Sequence, residues 1–333
     1  MSSIREVAKL AGVSTGSVSR YLNGQTLKVA NMEKIAAAID QLNYKENIIA
    51  KGLKNNRSFS VGLLMNNLSS RLSADIVASI EALMEANGYS LFLSCFNGEA
   101  QLVSQKIDYL LSHAIDGLIL FEVDETWPGM EKLAELTIPI ISLNTPNQLE
   151  NVDSILVNDR KSVRETIEQM IVMGHQSIGI IAAPQTEYVA RERLAGALEA
   201  KKYSAKEITI NVYTGDYSRL SGFDGAKELL AKNITALFVC NYNMSIGALE
   251  YFNKSDQQID QEICFAHYDY LDELQTVLPE RMIIQQPAAM IGELCGKRLI
   301  ERMEYPRTSG KTILLENKIY GMTKNNKKKR TSK

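Results

Sequence analysis

The chain has three histidines and four cysteines, and neither set is arranged for catalysis. His113, His175 and His267 stand far apart, and His175 follows a glycine in a turn, a structural setting. No G-x-S-x-G elbow, P-loop or H-E-x-x-H pair occurs. Cys95, Cys240, Cys264 and Cys295 are scattered without a C-x-x-C, so they read as reduced core residues, with neither a metal site nor a disulfide framework. No enzyme and no cofactor are expected. The groups spaced for recognition lie near the start: Ser14, Thr15, Gly16, Ser17, Ser19, Arg20 and Asn23. Hydroxyls and amides suit phosphate oxygens, which assigns Ser14, Ser17, Ser19 and Asn23 to a nucleic-acid backbone. Thr15, Gly16 and Arg20 take the positions that meet base edges. An arginine reads guanine through two hydrogen bonds, worth about 1–3 kcal/mol of discrimination.

These residues need a helix that can enter a groove, and the flanking sequence supplies one. Ser3 and Glu6 form an S-x-x-E capping box that starts a first helix with Val7 and Leu10 on its apolar face. Gly12 stands where the chain must turn through a positive φ. Ser14 caps a second helix with Val18 and Leu22 on its buried side, and Asn23-Gly24 stops it. Ala8 is small where the two helices would cross. This is a helix-turn-helix pattern, although a plain helical corner can share it. A third helix, about Asn31 to Leu42, closes a small core through Ile35, Ala38, Ile39 and Leu42.

Charge follows the same division. Residues 1–57 carry nine basic and four acidic side chains, and residues 324–333 carry six basic and no acidic ones. The totals of 37 basic and 39 acidic residues therefore leave 22 against 35 in residues 58–323. A basic head on an acidic body suits DNA binding by the head. At 333 residues, 45% of them hydrophobic, the chain is expected to fold as two or three ordinary globular domains. No membrane-length apolar run or secretion leader appears, so a cytoplasmic protein with no membrane partner is expected.

Beyond about Ser60 the pattern becomes strand–helix alternation. Eleven strands are expected: Val61–Met65, Ser90–Ser94, Gly117–Phe121, Pro139–Leu143, Ser154–Val157, Ser177–Ala182, Thr209–Tyr213, Ala236–Cys240, Ile263–Ala266, Met282–Ile284 and Thr312–Leu315. Amphipathic helical stretches lie between most of them, such as Ala74–Asn87 and Arg160–Met173. Alternation of this kind means parallel α/β sheets, and so many strands suit two sheets with a ligand cleft between them.

"REVAKLAGVSTGSVSRYLNG" resembles the DNA-binding headpiece of the lactose-repressor (LacI/GalR) family, and "LNYKENIIAKGLKNNRS" follows at the family's spacing. "HAIDGLIL", "GHQSIGIIAAP", "ARERLAGALEA", "TGDYSRLSGFDGAKELL" and "IIQQPAAMIGELCGKRLIERM" extend the resemblance over nearly the whole chain. The implied fold is an all-α helix-turn-helix headpiece joined to an α/β two-lobed periplasmic-binding-protein-like core with two parallel sheets. The expected division is headpiece 1–46, hinge helix or linker 47–58, core 59–323 and a basic, disordered tail 324–333. Within the core, one lobe takes about 59–158 and 287–316, and the other 159–286 and 317–323, with crossovers near Asn158, Gln286 and Glu316.

The resemblance also implies site residues. A hinge helix would fold on the operator, with Leu53 wedged into the minor groove and Lys51 and Lys54 on phosphates; an ordinary polar linker is the plainer reading. Effector contacts carry over to Asn144, Arg193, Tyr217, Asn241, Asp269 and Gln286, a set able to bind hydroxyls and to stack on a sugar. The expected partners are double-stranded DNA with a pseudo-palindromic operator, a sugar effector and a second copy of the chain. The expected role is a repressor of a carbohydrate-utilisation operon, released by its sugar. The alternative is control by a co-repressor or protein partner. Several positions depart from the family pattern. Glu46 replaces a common proline before the hinge, and Gly16 stands where a base-reading side chain is usual. The loop Gln25–Ala30 is about one residue short. Tyr242 and His267 replace smaller residues and would add bulk near the cleft.

Overall fold

The computed structural model describes residues 2–45, 52, 57–255, 263–269, 281–305 and 309–321. The chain divides into two compact units, Met1–Phe59 and Ser60–Lys333. The expected hinge contacts Lys51, Leu53 and Lys54 and the basic tail 324–333 lie outside the described residues.

Among the described residues of the first unit, three helices are bounded: α1 (Ile4–Ala11), α2 (Thr15–Leu22) and α3 (Val29–Leu42). Local chemistry fixes their ends. Ser3 and Glu6 close the capping box on α1. Gly12 turns the chain at φ 64°, and the Val13 amide donates back to Ala8 at 3.0 Å. Ser14 Oγ accepts from the Ser17 amide at 3.1 Å and starts α2. Val7, Ala8, Ala11, Val18, Ile35 and Ala38 form the small core. Leu10 departs from the expected apolar face, being 46% exposed. Ala11 takes the inward place one helical turn on from Val7, and Leu10 falls outside that narrow face.

The second unit contains two six-stranded sheets. The strands in chain order are β1 (Ser60–Met65), β2 (Ser90–Cys95), β3 (Gly117–Phe121), β4 (Ile140–Leu143), β5 (Val152–Val157) and β6 (Ser177–Ala182). They continue as β7 (Thr209–Thr214), β8 (Ala236–Val239), β9 (Cys264–Tyr268), β10 (Met282–Gln285), β11 (Thr312–Leu315) and β12 (Lys318–Tyr320). One sheet runs β11-β5-β4-β3-β1-β2 and the other β12-β10-β9-β8-β6-β7. Inner strands such as β1, β3 and β8 are buried along their whole length, whereas the edge strands β2 and β7 are partly open. That contrast is what helices on both faces of a parallel sheet produce. The strand β12 was not anticipated; it pairs antiparallel with β10 at the sheet edge.

The α-helices among the described residues are α4 (Arg71–Ala86), α5 (Val103–Ser112), α6 (Asp159–Val172), α7 (Tyr188–Lys202), α8 (Arg219–Leu230), α9 (Tyr242–Lys254) and α10 (Ala288–Glu304). Two apolar clusters sandwich each sheet. The chain passes between the lobes three times: after β5, after β10, and between β11 and β12. Helix α10 packs on α4 of the first lobe through Ile291, Cys295 and Leu299. It is anchored by Asp153, a fully buried carboxylate in β5. Asp153 accepts from Arg298 at 2.7 and 2.9 Å, from Arg302 at 2.8 Å and from the Lys311 amide at 2.9 Å. These bonds compensate a charge that could not otherwise remain buried.

Candidate functional site

Two surfaces carry recognition chemistry, one in each unit. On the headpiece, α2 buries Val18 and turns Thr15, Gly16 and Arg20 to the exterior, with Ser14 and Asn23 exposed at its two ends. Ser17 and Ser19 are half-buried. Arg20 Nε donates to the Gly16 carbonyl at 3.4 Å, and Asn23 Nδ2 donates to the Ser19 carbonyl at 2.8 Å. A Cβ built on Gly16 would meet nothing closer than Ser14 Oγ at 3.7 Å, so the bare backbone there is an open spot on the exposed face.

In the core, a recess lies between the lobes. The first lobe supplies the end of β1 through Asn66 and Asn67, and the end of β3 through Phe121 and Glu122. The second lobe supplies Glu187 ahead of α7, Tyr217 ahead of α8 and Asn241, which caps α9. This is the expected place for a ligand in open α/β sheets, beyond the carboxyl ends of the strands. A neighbouring recess is lined by Arg71, Asp75, Tyr242, Asp269 and Gln286.

Side chains around the recesses are held in specific poses. Tyr217 donates its hydroxyl to Glu187 at 2.5 Å, and Asn144 Nδ2 donates to Glu122 at 3.3 Å. Gln286 Nε2 donates to Asp269 at 2.8 Å. Asn241 accepts from the Asn243 and Met244 amides, so its Oδ1 is committed to the helix cap. Two acceptors, Asn144 Oδ1 and Gln286 Oε1, are buried without a hydrogen-bond partner among the described residues. Burial, reinforced by the like charge of Glu187, pushes the Glu122 carboxyl up to about 7. Burial also raises the carboxyls of Glu187 and Asp269 above their ordinary range. The residues Glu122, Asn144, Tyr217 and Asp269 all take left-handed backbone conformations, with φ between 56° and 69°. Non-glycine residues there are strained, and such strain concentrates where side chains must be aimed.

Arg193 and Asn144 line neither recess and are buried, 5% and 1% exposed. Arg193 is the more heavily bonded of the two. Its Nε donates to Asp159 at 3.0 Å and its Nη1 to the Cys240 carbonyl at 2.8 Å, while Cζ lies 3.8 Å from the Tyr268 ring centre. Tyr268 and Asn317 in turn donate to Asp159 at 2.8 and 3.0 Å. The guanidinium thus ties the end of β8 to the start of α6, and its charge also acts on Glu122, Glu187 and Asp269.

His267 does not reach the cleft. It is buried in β9 beside Phe265, and its Nδ1 donates to the Tyr268 carbonyl at 3.0 Å. Burial lowers its pKa to about 4, which keeps it neutral. Tyr242 does line the second recess. Sequence reading missed Glu122 and Glu187, although a glutamate directly after the apolar run of β3 is a signal that could have found the first. It also missed a bridge between the lobes: Arg191 Nη2 donates to Asp124 at 2.8 Å, and Thr126 holds the other oxygen of that buried carboxylate. Among the described residues, no cluster of candidate metal ligands occurs, and no helix is long and apolar enough to cross a membrane.

Comparison with known proteins finds relatives for both units. Residues 3–47 match the model of bacterial regulatory proteins of the lacI family, and residues 58–323 match that of periplasmic binding proteins and the sugar-binding domain of the LacI family. A ribose operon repressor of Haemophilus influenzae is 27% identical over 322 residues, covering 95% of this chain and 96% of its own. The transcriptional repressor PurR of Actinobacillus pleuropneumoniae is 28% identical over 312 residues, covering 92% and 93%. The Lac repressor dimer bound to operator and the anti-inducer ONPF superimposes with a TM-score of 0.84 at 26% identity, covering 96% and 97%. These relatives are transcriptional repressors, not enzymes. A helix-turn-helix headpiece and a two-sheet core, each matched by its own family model, make the chain a member of the LacI family of DNA-binding transcriptional repressors.

Proposed function

We propose that the chain represses a carbohydrate-utilisation operon as a homodimer on a pseudo-palindromic operator, and that a small polyol bound between the lobes releases it. The observation that carries this reading is the inter-lobe recess. Acceptors and an aromatic ring from both lobes face one space, and strained backbone aims them. Hydroxyl groups need such acceptors, and a sugar's C–H face needs such a ring. The relatives named as ribose operon repressors support a sugar. In this mechanism the ligand changes how the lobes close, and closure alters the placement of the two hinge segments on DNA. Linkage of this kind is typically worth about 1–3 kcal/mol.

Thr15 and Arg20 read bases in this scheme, and Ser14, Ser17, Ser19 and Asn23 hold phosphates. Lys51 and Lys54 flank Leu53 in the hinge. Asn144, Tyr217, Asn241, Asp269 and Gln286 contact the effector, with Arg193 bracing them. The test pairs two measurements. Full-length protein is melted against a panel of sugars, and operator binding is titrated with whichever sugar shifts the melt. A ligand at 100 times its dissociation constant adds about 2.7 kcal/mol. Asp269→Asn and Tyr217→Phe should shrink the melting shift, and the same sugar should weaken operator binding. Leu53→Ala should reduce both operator affinity and DNA bending, while Arg20→Ala should narrow the gap between operator and random DNA. A sugar that shifts the melt yet leaves operator binding unchanged would sink the regulatory reading.

A further inference from the structure

We propose that the effector carries a positive charge: an amine-bearing polyol held between Glu122 of one lobe and Glu187 of the other. This rests on the recess being the effector site. Both glutamates line that recess, and among the described residues no lysine, arginine or histidine does. Neither carboxylate forms an ion pair among the described residues. Glu122 accepts from Asn144 at 3.3 Å, and Glu187 accepts from Tyr217 at 2.5 Å. The two nearby guanidiniums are engaged elsewhere, Arg193 with Asp159 and Arg191 with Asp124. Two carboxyls therefore face one space with no direct ion-pair partner among the described residues, Arg193 and Arg191 attracting them only from beyond contact distance, an arrangement that favours a proton or a cation between them.

Further observations favour a cation over a neutral ligand. Asn144 is 1% exposed and its Oδ1 has no partner among the described residues, so another unpaired acceptor stands beside Glu122. An ammonium offers three donors and the compensating charge in one group. Phe121 and Tyr217 add aromatic rings to the same lining, and an ammonium is attracted to such faces. The same lining works against a phosphorylated sugar, because among the described residues no basic side chain lines this recess to receive the anion and two carboxylates would repel it.

The experiment uses matched ligands on the full-length protein at neutral pH: glucose, glucosamine and glucose 6-phosphate, with galactose and mannose beside their 2-amino counterparts. Melting shifts and calorimetric titration give relative affinities. The amino sugar of at least one pair is expected to bind about tenfold more tightly than its neutral partner, equivalent to about 1.4 kcal/mol. Glu122→Gln and Glu187→Gln keep the shape and remove the charge, and each should bring the pair to near parity. A neutral sugar that binds as well as its amine, a sugar phosphate that binds, or discrimination that survives in both glutamine variants would overturn the charge assignment. A neutral sugar that also releases operator would do so while leaving the polyol reading intact. A panel in which no member shifts the melt would count against both.

Discussion

Glu122 shows how one side chain can trade stability for recognition. Its carboxyl is raised from an ordinary value of 4.5 to about 7, first by burial and then by Glu187. A raised acid stabilises the fold fully below its unfolded pKa, and that contribution is lost as pH climbs through the folded pKa. Ionising it therefore costs stability between about pH 4.5 and 7. Glu122→Gln should melt like the parent near pH 4.5 and become more stable by about 1–3 kcal/mol above pH 7, as read from denaturant unfolding at both pH values. Equal stability at both would mean that the carboxylate already has a counter-charge. Arg193 has the opposite sign. It compensates Asp159, itself 3% exposed, so Arg193→Ala should cost about 3–5 kcal/mol of stability through the stranded carboxylate. Ligand binding by that variant has to be compared with its melting curve.

Helix contacts set the next scale. A Cβ on Gly247 of α9 would stand 1.8 Å from the Arg219 carbonyl oxygen, and one on Gly222 of α8 would stand 2.0 Å from the Met244 carbonyl oxygen. The two helices touch backbone to backbone, and backbone cannot rotate aside as a side chain can. Gly247→Ala should destabilise the core by about 1–3 kcal/mol, visible as a lower urea midpoint with the slope unchanged. This scale also shows what sequence could reveal. The headpiece was legible because its determinants are local: Ser3 with Glu6, Gly12, and Ser14 with Ser17. The inner strands were legible as short apolar runs. The strand β12 was not, because Lys318-Ile319-Tyr320 has no run to detect and is ordered by pairing with the distant Ile283 and Ile284. Glu122 and Glu187 stayed hidden for a related reason. Each is an unremarkable acid until two lobes bring them to one recess. His267 misled because a bulky residue at a strand end can face the cleft or the core, and the pleat decides which.

At the scale of the whole core, the lobes are joined by covalent crossings and by the Arg191–Asp124 bridge. The bridge spans the cleft without lining the effector recess, so it favours closure whether or not ligand is present. Arg191→Ala should weaken apparent effector affinity by about three- to tenfold without altering which ligand is preferred, as measured by titration across the same panel. A changed preference would instead place Arg191 in the recognition site. Acidic body and basic head remain separate in sequence, so changes confined to the cleft should leave the headpiece's own fold untouched.

The three passages of chain between the lobes have a consequence for how the protein is made. The first lobe is begun by residues 60–157 but finished by α10 and β11, at residues 288–304 and 312–315. A ribosome must produce nearly all of the second lobe in between. During that interval β5 has no neighbour on its outer side, and the surface later covered by Ile291, Cys295 and Leu299 stands open. Asp153 waits in the same period for Arg298 and Arg302. Neither lobe is complete until residues 312–320 have been made, so the nascent chain carries an unfinished first sheet throughout synthesis of the second lobe. That interval, more than the finished fold, is when chaperones have most to protect.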